Sequence, residues 1–436
     1  MLNLKSLKYS PRFSVVGSSL LLLNSQSGTK PKSIRSIESS NFEVKNKHSR
    51  IGVLEFESMD REKVDWSELP IELWPKIGKC LENHIDVLRF RSVCETWRSS
   101  IPSSHPNSPS FPMKIPHPIN SSIKASLTQA TLYLIESTDA SFGSKLDPLA
   151  PSSSKGWLIK VEEGPKGVSL RLVSPISGRK IFHPSEDSPM IWNLLNYRVI
   201  ELCKSYTLQN TGRFSASVSK VVFFPNSSWV GVEDSVACCV FLEGRLGIMK
   251  HGDEKWALVD DKNFYYDDVI VHRGQFYVTD KWGTISWVDT NSLKLIQFTP
   301  PLCGFGNKKH LVESCGSLYV VDRYYETEPR RRNYFGRQEN RDAAVECFKV
   351  YKLDEDWGTW VDVKKLGDRA FILGRNCNFS VSAKELTGYQ GNCIYFTDMF
   401  DLRMYSLDDH SIVTIDFDPS IEKNMMPQTA WLGHTI

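Results

Sequence analysis

Paired carboxylates, histidines, a glycine-rich loop and a run of arginines are the groups in this chain whose types and spacing could do chemistry. Asp260-Asp261 and Asp267-Asp268 set two carboxylates side by side, the arrangement that general acid–base work requires. Both pairs stand among turn-forming residues, where an Asp carboxylate accepts nearby backbone N–H groups, so turn duty is the expected role. Gly304-Phe305-Gly306-Asn307-Lys308-Lys309 has the look of a phosphate cradle. It lacks the spacing of a P-loop and the Ser or Thr after its Lys, and no helical pattern follows, so it reads as an inter-strand loop. There is no His-Glu-x-x-His and no Gly-x-Ser-x-Gly, and the ten histidines have no metal-ligand spacing. The expectation is a chain with no catalytic residues, no metal and no cofactor.

Arginine is the more informative chemistry. Arg330, Arg331, Arg332, Arg337 and Arg341 lie in one segment with Tyr324, Tyr325, Tyr334 and Phe335. Arg beside aromatics is the composition of protein-binding hot spots. Arg330, Arg331, Arg332, Tyr334 and Arg337 are therefore candidate contacts for an acidic target protein, against the plainer reading of a solvated insertion. Net charge is only +2, and one basic loop on a near-neutral chain is weak footing for nucleic acid.

The elements that would carry such a loop come in two kinds. In residues 65–101, Leu69-Pro70 opens a helical stretch, since Pro is tolerated where a helix start leaves its N–H groups unpaired. Ile71, Trp74, Ile77 and Leu81 then recur near helical spacing and make one apolar face. Asp86 is placed to cap a second helix, in which Phe90, Val93, Trp97 and Ile101 share a face. Pro75 falls inside the first helix, where it would kink it. This piece buries too little apolar surface to be very stable alone, so a hydrophobic partner is expected.

From about residue 125 the rhythm changes to short Val-, Ile-, Tyr-, Phe- and Trp-rich runs punctuated by Gly, Asp, Asn, Ser and Pro, an all-β pattern. Phe276-Tyr277-Val278-Thr279-Asp280 returns as Leu318-Tyr319-Val320-Val321-Asp322, 42 residues on, and again as Ile394-Tyr395-Phe396-Thr397-Asp398. Each copy follows a Gly (Gly274, Gly316, Gly391) and precedes a second strand ending near an Asp. The first spacing matches a Kelch-like blade of about 40–50 residues, and the remaining length gives about six to seven blades. Asp280, Asp322 and Asp398 are expected to cap turns; a ring of carboxylates at one propeller face is the functional alternative.

Residues 106–124, rich in Pro, Ser and Asn, read as a linker between the two regions. Residues 1–60 are basic, Ser-rich and acid-poor. A disordered extension, translation upstream of the true start near Met59 and an organellar transit peptide all fit that composition. The ten cysteines are scattered with no Cys-x-x-Cys pair, which fits a reducing compartment, nucleus or cytoplasm. No run reaches the roughly 18 apolar residues of a membrane span.

Leu69, Pro70, Ile77, Leu81, Val93, Cys94, Trp97 and Arg98 together resemble the Leu-Pro opening and Val-Cys-x-x-Trp-Arg ending of an F-box, the three-helix module that docks on a Skp-type adaptor. With Gly156-Trp157-Leu158, Arg171-Leu172-Val173-Ser174-Pro175 and Gly391-Asn392-Cys393-Ile394-Tyr395-Phe396-Thr397-Asp398, the chain resembles plant F-box proteins of the SKIP and KIB types, whose C-terminal half is a propeller of unknown function. The resemblance implies an α+β multidomain protein: an F-box at 62–105 followed by an all-β propeller at 125–420. It implies a non-catalytic substrate receptor of a Skp–cullin–F-box ubiquitin ligase. Leu69, Pro70, Ile77, Leu81, Val93, Cys94 and Trp97 would meet the adaptor, and through it the cullin, or build the core behind that surface. A non-proteolytic scaffold for a kinase or transcription regulator, and a carbohydrate or small-molecule binding propeller, are the alternatives.

Overall fold

The computed structural model describes residues 13–16, 19–22, 69–81, 83–118, 120–137, 156–164, 170–178, 197–210, 218–260, 265–302, 304–326, 344–398 and 401–415. Apart from an antiparallel pair of strands, Phe13–Val16 with Ser19–Leu22, the expectations for residues 1–60 lie outside these. The chain divides into two compact units at Ser103 and Ser104.

Apart from that strand pair, the described residues of the first unit are helical. A 3-10 turn, Ile71–Leu73, runs into α1 (Trp74–Gly78), followed by α2 (His84–Ser92) and α3 (Glu95–Ser100). Pro75 sits in the first turn of α1, where its missing N–H would have had no helical partner, so the expected kink is replaced by a helix start. The second expected helix is two helices. Cys94 takes an extended conformation (φ −158°, ψ 177°) and breaks it, yet Phe90, Trp97 and Ile101 still reach one core. Asp86 lies in the first turn of α2 rather than at its cap, the capping position falling on Asn83, and it pairs with Arg89 at 3.1 Å. Trp74, Phe90 and Trp97 form the core's aromatic cluster, with ring centroids 4.2 Å apart for the two tryptophans and 4.6 Å for Phe90 and Trp97.

The second unit is β throughout, apart from one 3-10 turn among the described residues. It holds a nine-stranded sheet, built on the long pair Lys124–Ser137 and Tyr197–Asn210. Three smaller sheets follow in sequence. The second has four strands, from Tyr266–His272 to Lys294–Gln297, and the third has four, from Lys308–Ser314 to Thr359–Val363. The fourth has five strands, from Arg369–Leu373 to Ile412–Ile415.

Apolar side chains pack each sheet on the next and close the ring. Val236, Cys238, Val240 and Ile248 of the nine-stranded sheet meet Val269, Phe276 and Val278 of the second. Ile285 of the second meets Leu311, Leu318 and Val320 of the third. Val321, Phe348 and Val350 of the third meet Phe371, Ile394 and Phe396 of the fourth. Ala370, Ile372 and Tyr395 of the fourth return to Leu132, Leu134 and Leu158 of the first. Backbone bonds reinforce that last seam: Gly156 N–H donates to Glu385 O at 2.7 Å and Thr387 N–H to Gly156 O at 3.0 Å. A Cβ on Gly156 would stand 2.8 Å from the Ile135 carbonyl, so the seam needs glycine there.

The repeated strings are strands, Gln275–Asp280, Ser317–Tyr325 and Cys393–Asp398. The first two open on two-residue hairpins, Arg273-Gly274 and Cys315-Gly316, with both residues at positive φ. This is the turn whose twist suits flanking antiparallel strands. The third departs: Cys393–Asp398 pairs parallel with Arg369–Leu373, so Gly391-Asn392 ends a crossover instead of a hairpin. The expected linker at 106–124 is also partly sheet. Met113–Pro116 pairs with Lys124–Ser137, and Phe111, Met113 and Ile115 are buried. A Pro-rich segment is compatible with such an edge position, where an N–H need not be donated.

Candidate functional site

In the helical unit burial sorts the candidate residues into three groups. Leu81 and Trp97 are core side chains at 6% and 3% exposure. Leu69 and Ile77 are half-buried, while Pro70, Val93 and Cys94 face solvent. Two residues that sequence spacing did not assign to a docking surface join them. Ile71, expected on the core face, is 64% exposed, and Leu88 on α2 is 43% exposed. Ile71 falls in the 3-10 turn ahead of α1, where the helical phase that would bury it has not begun. A small unit with Ile71, Leu88 and Val93 in water carries apolar surface that a partner could cover.

In the propeller unit, the carboxylates that read as turn formers are buried organisers. Asp267 and Asp268 lie on strand Tyr266–His272, beside a register shift in its pairing. Asp268 is 2% exposed and is bonded by groups from all four sheets. Lys220 Nζ of the first lies 2.6 Å away. Its own sheet supplies the Val269 N–H at 2.8 Å, the third the Leu311 N–H at 2.8 Å, and the fourth Asn378 Nδ2 at 2.7 Å. Asp267 accepts from Lys309 N–H at 2.8 Å, and burial pushes its carboxyl up to about 6. Asp260 accepts from the Tyr266 hydroxyl at 3.0 Å, and Asp261 lies outside the described residues.

The three aspartates of the repeated strings share a place in the repeat and differ in work. Asp280 caps a turn as expected, accepting from the N–H groups of Trp282 and Thr284, both at 2.9 Å. Asp322 instead makes a fully buried ion pair with Lys309 at 2.7 Å. The loop around Gly304 and Gly306 folds over this pair: Gly306 N–H donates to Asp322 at 3.2 Å and Lys309 donates to Gly306 O at 3.0 Å. A Cβ on Gly306 would overlap the carboxylate, so the two glycines serve close packing around an internal anion. Asp398 pairs with Arg403 at 3.1 Å and Arg323 at 3.7 Å. Arg323 in turn lies over the rings of Tyr325, Phe348 and Phe396, which joins the third sheet to the fourth.

Arg330, Arg331, Arg332, Tyr334 and Arg337 lie outside the described residues, in the connection between strands Ser317–Tyr325 and Val345–Asp354. Among the described residues no group of His, Cys, Asp and Glu is placed to hold a metal ion, and no helix is long and apolar enough to cross a membrane.

A small helical unit and a ring of sheets in one chain define a class, and sequence comparison defines the family. The KIB1-4 beta-propeller model matches residues 125–418. The chain is 31% identical over 357 residues to F-box protein At2g26160 of Arabidopsis thaliana, covering 77% of this chain and 96% of that one. It is 30% identical over 406 residues to F-box protein SKIP23 of Arabidopsis thaliana, covering 85% and 96%. Among solved structures, apo AztD from Citrobacter koseri aligns at 11% identity over 52% of this chain and 60% of that one. Its TM-score of 0.22 is too low to bear on the fold. The chain belongs to the KIB1-4 β-propeller family. It is a plant F-box protein with a C-terminal propeller, as the resemblance implied.

Proposed function

We propose that this protein is the substrate-receptor subunit of a Skp–cullin–F-box ubiquitin ligase. Residues 69–101 form the three-helix F-box and bind a Skp-type adaptor, and the propeller holds the target. The observation that carries this reading is the apolar surface left open on the small helical unit at Ile71, Leu88 and Val93, in a chain whose relatives are named F-box proteins. Pro70, Ile71, Val93 and Cys94 make the contact, with Leu69 and Ile77 beside them. Leu81 and Trp97 hold the surface from behind. Pro75 supports docking by starting α1. The chain itself performs no bond chemistry: ubiquitin transfer is accelerated because a bound target lysine is held at high effective concentration near the conjugating enzyme. Taking the nine-stranded sheet as two blades, we count five blades among the described residues. Target recognition includes the arginine-rich connection, where Arg330, Arg331, Arg332, Tyr334 and Arg337 meet acidic side chains.

The test is a binding assay of the full chain with a purified Skp-type adaptor. The wild type is expected to bind, and an Ile71→Asp/Val93→Asp variant with unchanged circular dichroism is expected to bind at least about tenfold more weakly, a loss of about 1.4 kcal/mol. A folded wild-type chain that ignores the adaptor would overturn the proposal.

A further inference from the structure

Where the fourth sheet closes on the first, three groups meet that adaptor docking and target binding leave unused. Lys160 lies on strand Trp157–Glu163 and is 4% exposed. A buried ammonium is costly unless an anion or strong acceptor faces it. Among the described residues no carboxylate forms an ion pair with Lys160. Its side-chain polar contact is the sulfur of Cys377, 3.7 Å from Nζ. Cys377 lies in the turn between strands Arg369–Leu373 and Asn378–Ser382 and keeps 7% of its surface. The third group is Cys203 on strand Tyr197–Asn210, half-buried and packed against the same core as Cys377. The turn is docked on that strand by a separate bond, Asn376 Nδ2 donating to Thr207 Oγ1 at 2.7 Å, which holds Cys377 against the core on which Cys203 packs. Both are free thiols.

The cluster has the parts of a reactive thiol site: a sulfur facing a buried cation, and a second sulfur beside it. The neighbouring Cys203 sulfur, with Lys160 beside it, draws Cys377 down to about 5 against the opposing effect of burial. The same contact pushes Cys203 up. Cys377 is the sulfur that faces the Lys160 ammonium, so it is the thiolate of the two and Cys203 its neighbour. Cys238 and Cys239 make the contrast. They sit in the fully buried strand Val236–Phe241, and burial pushes both thiols up.

We propose that Cys377 and Cys203 are a peroxide-responsive pair that latches the propeller's closing seam, with Lys160 as the cation that activates Cys377. The oxidant is hydrogen peroxide. The Cys377 sulfur attacks one peroxide oxygen: an S–O bond forms, the O–O bond breaks, and the departing hydroxide takes a proton from solvent and leaves as water. The Cys203 sulfur then attacks the Cys377 sulfenic acid. The S–S bond forms, the S–O bond breaks, and the Cys203 proton leaves with the hydroxide as a second water. Two thiols and one peroxide give one disulfide and two waters, and a low-molecular-weight thiol reverses the change. The bond ties the first sheet to the fourth, closing a long loop of chain at the one seam that joins the beginning of the ring to its end.

The full chain is treated with increasing hydrogen peroxide, digested without reduction and mapped by mass spectrometry. The expected result is a peptide pair linked through Cys203 and Cys377, formed before oxidation of the exposed Cys80, Cys94 and Cys315 and lost on adding dithiothreitol. Oxidised protein should melt at a higher temperature than reduced, and Cys203→Ser should abolish that shift. In Cys203→Ser the reaction should stop at a Cys377 sulfenic acid that dimedone traps. Lys160→Met, of similar length and without charge, should slow alkylation of Cys377 by iodoacetamide at pH 6 at least tenfold. A merely structural Lys160 would leave that rate unchanged. If Lys160→Met fails to fold, the dimedone adduct in Cys203→Ser decides the matter. Peroxide that oxidises the three exposed cysteines while Cys377 is recovered as a free thiol would overturn the proposal. None of these readouts involves the adaptor, so the result stands apart from the ligase reading.

Discussion

The helical unit and the propeller solve opposite problems. The helical unit holds itself together with a few aromatic rings, Trp74, Phe90 and Trp97, and leaves Ile71, Leu88 and Val93 in water. The propeller buries charge between its strands: Asp268 with Lys220, and Lys309 with Asp322. A buried ion pair is weak evidence for stability, because desolvating two charges offsets most of their attraction. It does penalise any arrangement that leaves one partner alone, and so favours a single register. The contrast shows where each unit places its specificity. The propeller keeps it inside, fixing the order of its sheets, and the helical unit leaves apolar side chains outside.

The sharpest way to break this comparison is at Asp268. Asp268→Ala leaves Lys220 buried without its anion and removes acceptors from the Leu311 N–H and Asn378. The expected loss is about 3–5 kcal/mol, the range for breaking one side of a buried pair, read as a drop in denaturation midpoint of the full chain. Asp268→Asn keeps an acceptor and should lose less. If both variants melt as the wild type does, Asp268 is not the point that joins the sheets.

Trp97→Ala is the matching experiment in the helical unit. Truncating a buried Trp in a core costs about 3–5 kcal/mol. A unit with so small a core cannot absorb that, so adaptor binding should vanish while the propeller's own transition stays in place. Ile71→Asp/Val93→Asp is expected to do the reverse, changing stability by no more than about 0.5 kcal/mol, since exposed substitutions seldom do more. Its effect should appear in adaptor affinity alone. Stability loss in this variant equal to that of Trp97→Ala would mean that the exposed residues are core after all.

Local order was legible in the sequence, and long-range partnership was not. The two-residue hairpins announce themselves through Gly274 and Gly316 between apolar runs, because a positive φ selects for glycine. The helix break at Cys94 was hidden because Phe90, Trp97 and Ile101 keep their spacing across it. Met113–Pro116 was hidden because an edge strand tolerates the prolines that mark a linker. Asp267-Asp268 misled in a different way. A carboxylate pair beside polar residues reads as a turn, and the partners that make Asp268 a junction, Lys220, Leu311 and Asn378, lie in three other sheets. The same holds for Lys160, Cys203 and Cys377, which only ring closure brings together.

The smallest expected effect lies at the opposite end of the sheets from Asp280 and Asp322, where His272 bridges the second and third sheets. Its Nδ1 lies 2.9 Å from Glu313 and its Nε2 3.2 Å from Glu355. Burial lowers the imidazole's affinity for a proton, but the hydrogen bonds and charges of the two carboxylates outweigh it and leave its pKa above the ordinary value of 6.5. A group bound more tightly to its proton when folded adds stability that is fully present below the unfolded pKa and is lost as pH rises through the folded one. The propeller should therefore lose a little stability as pH rises above about 6.5, the histidine's unfolded value. Glu313 is nearly half exposed, so the loss should stay under about 1 kcal/mol, as for other solvated pairs. His272→Gln keeps hydrogen bonding without the titration and should flatten that part of the pH profile, measured as denaturation midpoint against pH. A wild-type profile that instead rises across the same interval would place the proton elsewhere. The seam between these sheets would then rest on the apolar contacts of Ile285, Leu311 and Leu318 and on the backbone bonds to Asp267 and Asp268.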